Sequence, residues 1–228
     1  VTRTGYDPSN FRVNSVTDPN NHQTTMAWSD DGADLLSVTD AKGNETVTVY
    51  DDRHNPTLVT NPDGTQTRFV YNTPGETGYS DAWDEDVLLL RIDNYVEGSS
   101  ALDTNRITHY VYTNQSLLEK VTYPDGTATC TSYTDTLDTS PAGLLETVKE
   151  NCTASAGLPG GNAITTYTYD ALGRVLTVTD PIERKTLYRY FDDDNLADEV
   201  VSNYDGSDLS NPDNYYKGGV YNLSTRTY

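Results

Sequence analysis

The chain is poor in the residues from which helical cores and reactive centres are made. Its 228 residues include one Met, three Phe, two Trp and three His, and Lys and Arg together number 15. Against 35 acidic residues this leaves a net charge of −20, so phosphate backbones and anionic membrane surfaces repel it, and nucleic-acid binding is excluded as a reading. Long apolar runs are missing too. The longest aliphatic stretch, Val87-Leu88-Leu89-Leu90, is far short of the roughly 20 residues of a membrane helix. Two cysteines, Cys130 and Cys152, are too few for a disulfide framework and lie outside any C-x-x-C metal spacing, which leaves one bridge or two thiols open. There is no Gly-x-Ser-x-Gly elbow and no phosphate-binding glycine loop. The printed sequence starts at Val1 with no basic or apolar leader, so a targeting signal is expected outside it, and the chain reads as processed or excerpted.

What is present favours strands. Eighteen of the 23 aromatic residues are Tyr and 34 residues are Thr, while no span shows sustained 3.6-residue periodicity, so the chain is expected to be all-β. Internal repetition gives the arrangement. Val16-Thr17-Asp18-Pro19 recurs as Val38-Thr39-Asp40-Ala41, Val59-Thr60-Asn61-Pro62, Val121-Thr122-Tyr123-Pro124 and Val178-Thr179-Asp180-Pro181. Eight residues after each Val stands Thr24, Thr46, Thr67, Thr129 or Thr186, and four residues later an aromatic, Trp28, Tyr50, Tyr71, Tyr133 or Tyr190. Two further copies close on Thr108/Tyr112 and Thr165/Tyr169 after opening strands at Ile92 and Val148 that carry extra residues.

Each copy reads as a β-hairpin with tight turns at both ends. Gly43, Gly64 and Gly126 fall where the tip needs a positive φ, and Asn10, Gly32, His54 and Gly173 fall in the turn after the aromatic. Side chains repeat every two residues along a strand, so the Thr, the residue two further on and the aromatic share one face as a ladder. Because a lone hairpin is marginal in water, the copies are expected to add up to one continuous antiparallel sheet, curved or spiralling, over a single segment 1–228. Units would close near residues 6, 28, 50, 71, 112, 133, 169, 190 and 228. Insertions at about 72–87, 94–104, 134–142, 152–162 and 203–219, rich in Gly, Ser, Asn, Asp and Pro, read as loops outside the sheet.

The block Tyr169-Asp170-Ala171-Leu172-Gly173-Arg174-Val175-Leu176-Thr177-Val178-Thr179-Asp180-Pro181 closely resembles the consensus of the YD repeat, or Rhs repeat, and the other copies are degenerate versions of it from about Tyr6 to Tyr190. Glu183 and Asn21 replace the tip glycine, and Trp28-Ser29, Tyr71-Asn72, Tyr112-Thr113, Tyr133-Thr134 and Tyr190-Phe191 replace Tyr-Asp. These departures weaken single turns and keep the register. The resemblance implies a β-strand shell of the kind found in bacterial Rhs and wall-associated polymorphic toxins, insect toxin complexes and teneurins. Such shells enclose a polypeptide or present a surface to partners. The self-cleavage segment of the toxin-releasing forms has no counterpart after Tyr190, so no catalytic residue is carried over.

Other chemistry is weaker. His22, His54 and His109 sit in separate units, and Asp192-Asp193-Asp194-Asn195 with Asp198 and Glu199, Asp30-Asp31-Gly32-Ala33-Asp34 and Asp84-Glu85-Asp86 match no established Ca²⁺ loop, so solvated acidic turns are expected and no cofactor or metal is assigned. Carboxylate pairs are too abundant to mark a glycosidase site. Trp83, in its acidic loop, keeps sugar stacking open, and Asn44, Asn114, Asn151 and Asn222 head sequons. Cys130 lies on the face opposite the ladder and Cys152 in the following insertion, so one inter-strand bridge is open to them. Both ends look like return strands of cut hairpins, and exposed edges recruit neighbouring repeats or further copies. The expected function is a non-catalytic scaffold segment of a secreted or surface-displayed shell. A self-assembling extracellular filament subunit and a carbohydrate-binding or carbohydrate-processing module are the two other classes, with glycans as partners in the last.

Overall fold

A computed structural model describes residues 1–74, 79–80, 84–97, 105–134, 142–152, 163–190, 197, 199–202 and 222–225. All regular structure in them is β. Contacts divide the chain into two compact units, Val1–Ser116 and Leu117–Tyr228.

The first unit holds β1 (Arg3–Tyr6), β2 (Val13–Thr17), β3 (Gln23–Trp28), β4 (Leu35–Thr39), β5 (Glu45–Tyr50), β6 (Pro56–Thr60), β7 (Gln66–Tyr71), β8 (Leu88–Asp93) and β9 (Arg106–Tyr112). Each pairs antiparallel with the next in sequence. The second unit repeats the plan with β10 (Leu118–Thr122), β11 (Ala128–Tyr133), β12 (Leu145–Glu150), β13 (Ala163–Tyr169), β14 (Val175–Thr179), β15 (Lys185–Arg189), β16 (Glu199–Ser202) and β17 (Asn222–Thr225). Within each unit the chain is a meander of tandem hairpins.

The repeat is also the register. Val16 faces Thr24, Val38 faces Thr46, Val59 faces Thr67, Val121 faces Thr129, Val148 faces Thr165 and Val178 faces Thr186. β-Branched residues on both sides of a pair suit a pleated surface and support each other across the strands. The hairpin that closes at Tyr112 keeps this register, but the residue in the Val place is Arg91 and not Ile92: Thr108 faces Arg91, and Ile92 pairs with Ile107 and is buried.

Burial alternates as a two-residue period requires. In β3, Thr24, Met26 and Trp28 are half-buried and Gln23, Thr25 and Ala27 exposed, and in β5 Thr46, Thr48 and Tyr50 are half-buried while Val47 and Val49 are exposed. Fully buried apolar side chains among the described residues are few, namely Leu89, Ile92, Ala128 and Val201. So thin a core leaves the strand ends and turns to supply much of the cohesion.

The tips obey one geometry. Asp40 N–H donates to the Asn44 carbonyl and Gly43 N–H to the Asp40 carbonyl, a three-residue loop whose last residue is left-handed. Gly43, Gly64 and Gly126 take φ of 84°, 82° and 82° there, and Asn21 and Glu183 are forced to 67° and 66°. In the opposite turns Gly32, His54 and Gly173 take positive φ, as expected. In the first of these turns it is Phe11, and not Asn10, that does so: Phe11 N–H donates to the Asp7 carbonyl four residues back, whereas Gly32, His54 and Gly173 N–H reach the carbonyl three residues back.

The insertions at 203–219 and the close at 228 lie outside the described residues, as do most of 94–104, 134–142 and 152–162. Where described, an insertion is tied to the strands. Tyr95 N–H donates to the Gln66 carbonyl at 2.9 Å and the Arg68 guanidinium lies over the Tyr95 ring, so this stretch extends the β7 edge and does not stand off from it.

Candidate functional site

The residues singled out by the repeat converge at the open mouth of each hairpin. Inside a hairpin the ladder stops three residues before the aromatic, at Ser15↔Thr25, Ser37↔Val47, Leu58↔Arg68, Leu90↔His109, Lys120↔Cys130, Thr147↔Thr166 and Thr177↔Leu187. Two residues further out, the first carbonyl of the opening strand is beyond the ladder's reach. A backbone acceptor left without a partner is costly, so it must be filled from elsewhere.

The ring fills it. Trp28 Nε1–H donates to the Val13 carbonyl at 2.8 Å. The hydroxyls of Tyr50, Tyr71, Tyr112, Tyr133, Tyr169 and Tyr190 donate to the carbonyls of Leu35, Pro56, Leu88, Leu118, Leu145 and Val175 at 3.2, 3.0, 2.8, 2.7, 2.7 and 2.9 Å. Seven hairpins thus carry the same clasp, which accounts for an aromatic set dominated by Tyr, since Phe has a ring but no donor. A β-bulge precedes the ring on its other side, at Gly5/Tyr6, Ala27/Trp28, Val49/Tyr50, Val70/Tyr71, Ser132/Tyr133 and Thr168/Tyr169. Bulges re-aim a side chain and bend the strand. Desolvation raises the phenol pKa of Tyr71, Tyr112, Tyr169 and Tyr190 above the ordinary value, which keeps the hydroxyl protonated as a donor.

The position after the ring is an acceptor in six of the seven hairpins, and the seventh, Phe191, lies outside the described residues. Asp170 Oδ1 takes the backbone N–H of Leu172 and Arg174, both at 2.9 Å, and its Oδ2 takes Arg174 Nε–H at 2.7 Å. Desolvation pushes the Asp170 carboxyl up, and the Arg174 and Leu172 hydrogen bonds outweigh it and hold the group below its usual range. Asp51 serves Arg53 and Asn55 in the same way, and Ser29 Oγ accepts Asp34 N–H at 2.9 Å. Thr134 Oγ1 accepts Leu144 N–H and Thr113 Oγ1 accepts Gln115 N–H. Ser29, Asn72, Thr113 and Thr134, the described departures from Tyr-Asp, therefore keep the acceptor and change only its charge.

Asn72 is the functional member of this set that sequence reasoning passed over. It is fully buried. Its Nδ2–H donates to the carbonyls of Ser80 and Asp84, its Oδ1 accepts Ser80 N–H, and its backbone N–H donates to the Val87 carbonyl. The only signal in sequence is an amide in the Asp place directly before an insertion. Arg53 ties the same insertion down by pairing with Glu85 and Asp86.

Arginine after the turn links one hairpin to the next ring. Arg174 lies 4.3 Å over the Tyr190 ring and Arg12 lies 5.4 Å over Trp28, in each case sixteen residues on. The sulfurs of Cys130, in β11, and Cys152, just beyond β12, are bonded, and Cys152 N–H donates to the Ala128 carbonyl.

The histidines stay apart. His22 pairs with Asp18 in a tip, His54 with Asp34 across neighbouring turns, and His109 lies in β9 opposite Leu90. Asn44 Nδ2–H is engaged by Asp40 Oδ2, and Asn114 sits exposed in a turn. Trp83 and residues 192–195 and 198 lie outside the described residues, and so do the side chains of Glu199 and Asn222. A cavity of about 150 Å³ beside the Tyr71 clasp is lined by Asp51, Thr57, Arg68 and Phe69 among others. These side chains include no nucleophile paired with a base. Among the described residues no three His, Cys, Asp or Glu side chains group as metal ligands.

The family RHS Repeat matches residues 28–66 and 153–181. No curated protein gives a significant match. Among solved structures, a crystal structure of TcdB2-TccC3-TEV shares the fold over 91% of this chain with a TM-score of 0.64 and 18% identity. A Photorhabdus luminescens Tc holotoxin pore carrying a TccC3 point variant does so over 88%, at 0.62 and 19%, and a crystal structure of TcdB2-TccC3 over 91%, at 0.63 and 18%. The chain spans 10 to 11% of the length of those chains. Motif, hairpin register and fold agree in what they liken this chain to, the Rhs-repeat, or YD-repeat, proteins.

Proposed function

We propose that the chain is a non-catalytic scaffold segment, one stretch of the β-shell of a much longer secreted or surface-displayed Rhs-repeat protein. The observation that carries this is the clasp. In all seven hairpins the one residue type that stands out, the ring at the mouth, is spent on a main-chain carbonyl of its own hairpin, and the described acceptors beside it are spent on main-chain N–H groups. Side chains committed to backbone closure hold a sheet together and leave no reacting group at the same place. The ladder residues Thr24 to Tyr190, the turn glycines Gly43, Gly64, Gly126 and Gly173, and the Cys130–Cys152 bridge are accordingly read as structural. The partners in this reading are neighbouring repeats of the same polypeptide.

The mass of the native polypeptide that contains this sequence tests the reading. A chain about ten times longer is expected, in line with the share of the similar structures that is covered. A native chain near 25.2 kDa that turns over a glycoside would overturn it.

A further inference from the structure

The disulfide sits in a cationic setting that the composition does not lead one to expect. Cys130, in β11, stands directly opposite Lys120 of β10 on one side and Lys149 of β12 on the other, so both lysines share its face of the sheet. Directly opposite residues have Cβ atoms about 5 Å apart, which brings both ammonium groups within reach of the Cys130 sulfur. Both lysines are half-buried, and neither enters an ion pair among the described residues. Thr122, Ala128, Ser132 and Thr147, which share this face, are uncharged. Glu119 and Glu150 alternate onto the other face, and Glu146 is held to the side by Ser132 Oγ–H, which donates to its Oε2 at 3.1 Å. In a chain of 35 acidic and 15 basic residues, two unpaired cations therefore flank one sulfur of the bridge.

We propose that the Cys130–Cys152 bridge is a thiol-exchange site, which takes an anionic low-molecular-weight thiol on Cys152 and releases Cys130 as a thiolate. The attacking thiolate forms a bond to Cys152 Sγ while the Cys152–Cys130 bond breaks, and its electron pair leaves on Cys130 Sγ. No proton moves in this step. The incoming sulfur is oxidised to a mixed disulfide, and Cys130 is reduced. Return of the Cys130 thiolate to Cys152 restores the bridge and expels the thiol. Ammonium groups stabilise a thiolate, and a stabler thiolate leaves faster, so the lysines decide which sulfur departs. The same charges attract a thiol that carries carboxylates, although the chain as a whole repels it. Both cysteines are half-buried, so the bridge is open to a small thiol. The inference concerns this bridge alone and holds whether or not the chain lines a shell.

Glutathione, an anionic thiol, and cysteamine, a cationic one, test this at equal thiolate concentration and low salt. Exchange is quenched with iodoacetamide, and the adduct is located by peptide mass spectrometry. The ratio of the glutathione rate to the cysteamine rate is expected to be about tenfold higher on the folded chain than on the chain unfolded in urea. The adduct should lie on Cys152 and the alkyl group on Cys130. Lys120→Gln and Lys149→Gln should each slow glutathione about threefold, the effect of one unit charge about 6 Å away in water-like surroundings. Lys185→Gln removes the same charge four strands away, about 19 Å, and should change neither rate. Salt of about 1 M, which shortens the screening length to about 3 Å, should abolish the preference on the parent chain without any substitution. Cysteamine reacting as fast as glutathione would overturn the proposal, as would an adduct on Cys130, rates indifferent to both lysines and to salt, or no adduct on the folded chain.

Discussion

Removing a single phenol oxygen separates the clasp from the packing of the ring. Tyr169→Phe keeps the ring and leaves the Leu145 carbonyl, now reached at 2.7 Å, without its donor. A loss of about 1 kcal/mol is expected, the net worth of one such bond, read as a lower urea midpoint at unchanged slope. The tip offers the opposite experiment. Glu183 holds φ of 66°, where a Cβ is strained, so Glu183→Gly should stabilise the chain by about 1 kcal/mol, read as a raised urea midpoint. Asn21 is at 67° but tolerates that region better, and its replacement by Gly should gain less. The phenols also set an upper pH limit. In Tyr71, Tyr112, Tyr169 and Tyr190 the folded pKa lies above the ordinary phenol value of about 10, chiefly through desolvation. Their contribution is therefore whole below about pH 10 and is lost as pH climbs through the higher folded values. Circular dichroism during an alkaline titration should show unfolding coupled to tyrosine ionisation.

Turns and bridges are where elements are held. At the tips, Asp40 is kept below the usual carboxylate range by the Asn44 side chain and backbone, Asp18 chiefly by His22 N–H, and Asp180 by Arg184 bonds that outweigh desolvation. A lowered folded pKa stabilises above the unfolded value and fades as pH falls through the folded one, so stability should drop below about pH 4. Asp40→Asn removes the charge and keeps an acceptor, and its acid limb in a melting-temperature profile should be shallower than that of the parent. The Cys130–Cys152 bridge spans 22 residues, and its reduction should cost about 3 kcal/mol by loop entropy, seen as a lower melting temperature with a phosphine reductant. Strand positions were legible at this scale because the residue two beyond each Thr and the ring four beyond it keep an even spacing, a period that only a strand converts into a common face. The clasp was not legible, since its acceptor is a main-chain oxygen, and the apolar side chains of Val13, Leu35 and Pro56 look like any other strand residue. Nor was the role of Asn72, whose partners Ser80 and Asp84 lie in an insertion without a repeating pattern. The pairing of Thr108 with Arg91 escaped because no Val marks the place: Arg91 stands where most of the other opening strands carry Val, and the apolar Ile92 beside it reads as the missing residue.

On the whole chain, the net charge of −20 opposes compaction, and the described ion pairs are mostly exposed and of small individual worth. Raising salt from about 0.01 M to about 0.15 M shortens the screening length from about 30 Å to about 8 Å, so it should relieve repulsion more than it weakens attraction. The melting temperature should rise across that range, and a fall would mean that ion pairs dominate. A molecule closed hairpin by hairpin through its own backbone also has an unusual freedom. Because an oxygen of the peptide bond is present in every amino acid, proline at position 56 included, the clasp makes no demand on the identity of the residue it grips. Sentences with almost no words in common can therefore share a grammar here, and a ring arriving on the beat is enough to keep the next line in place.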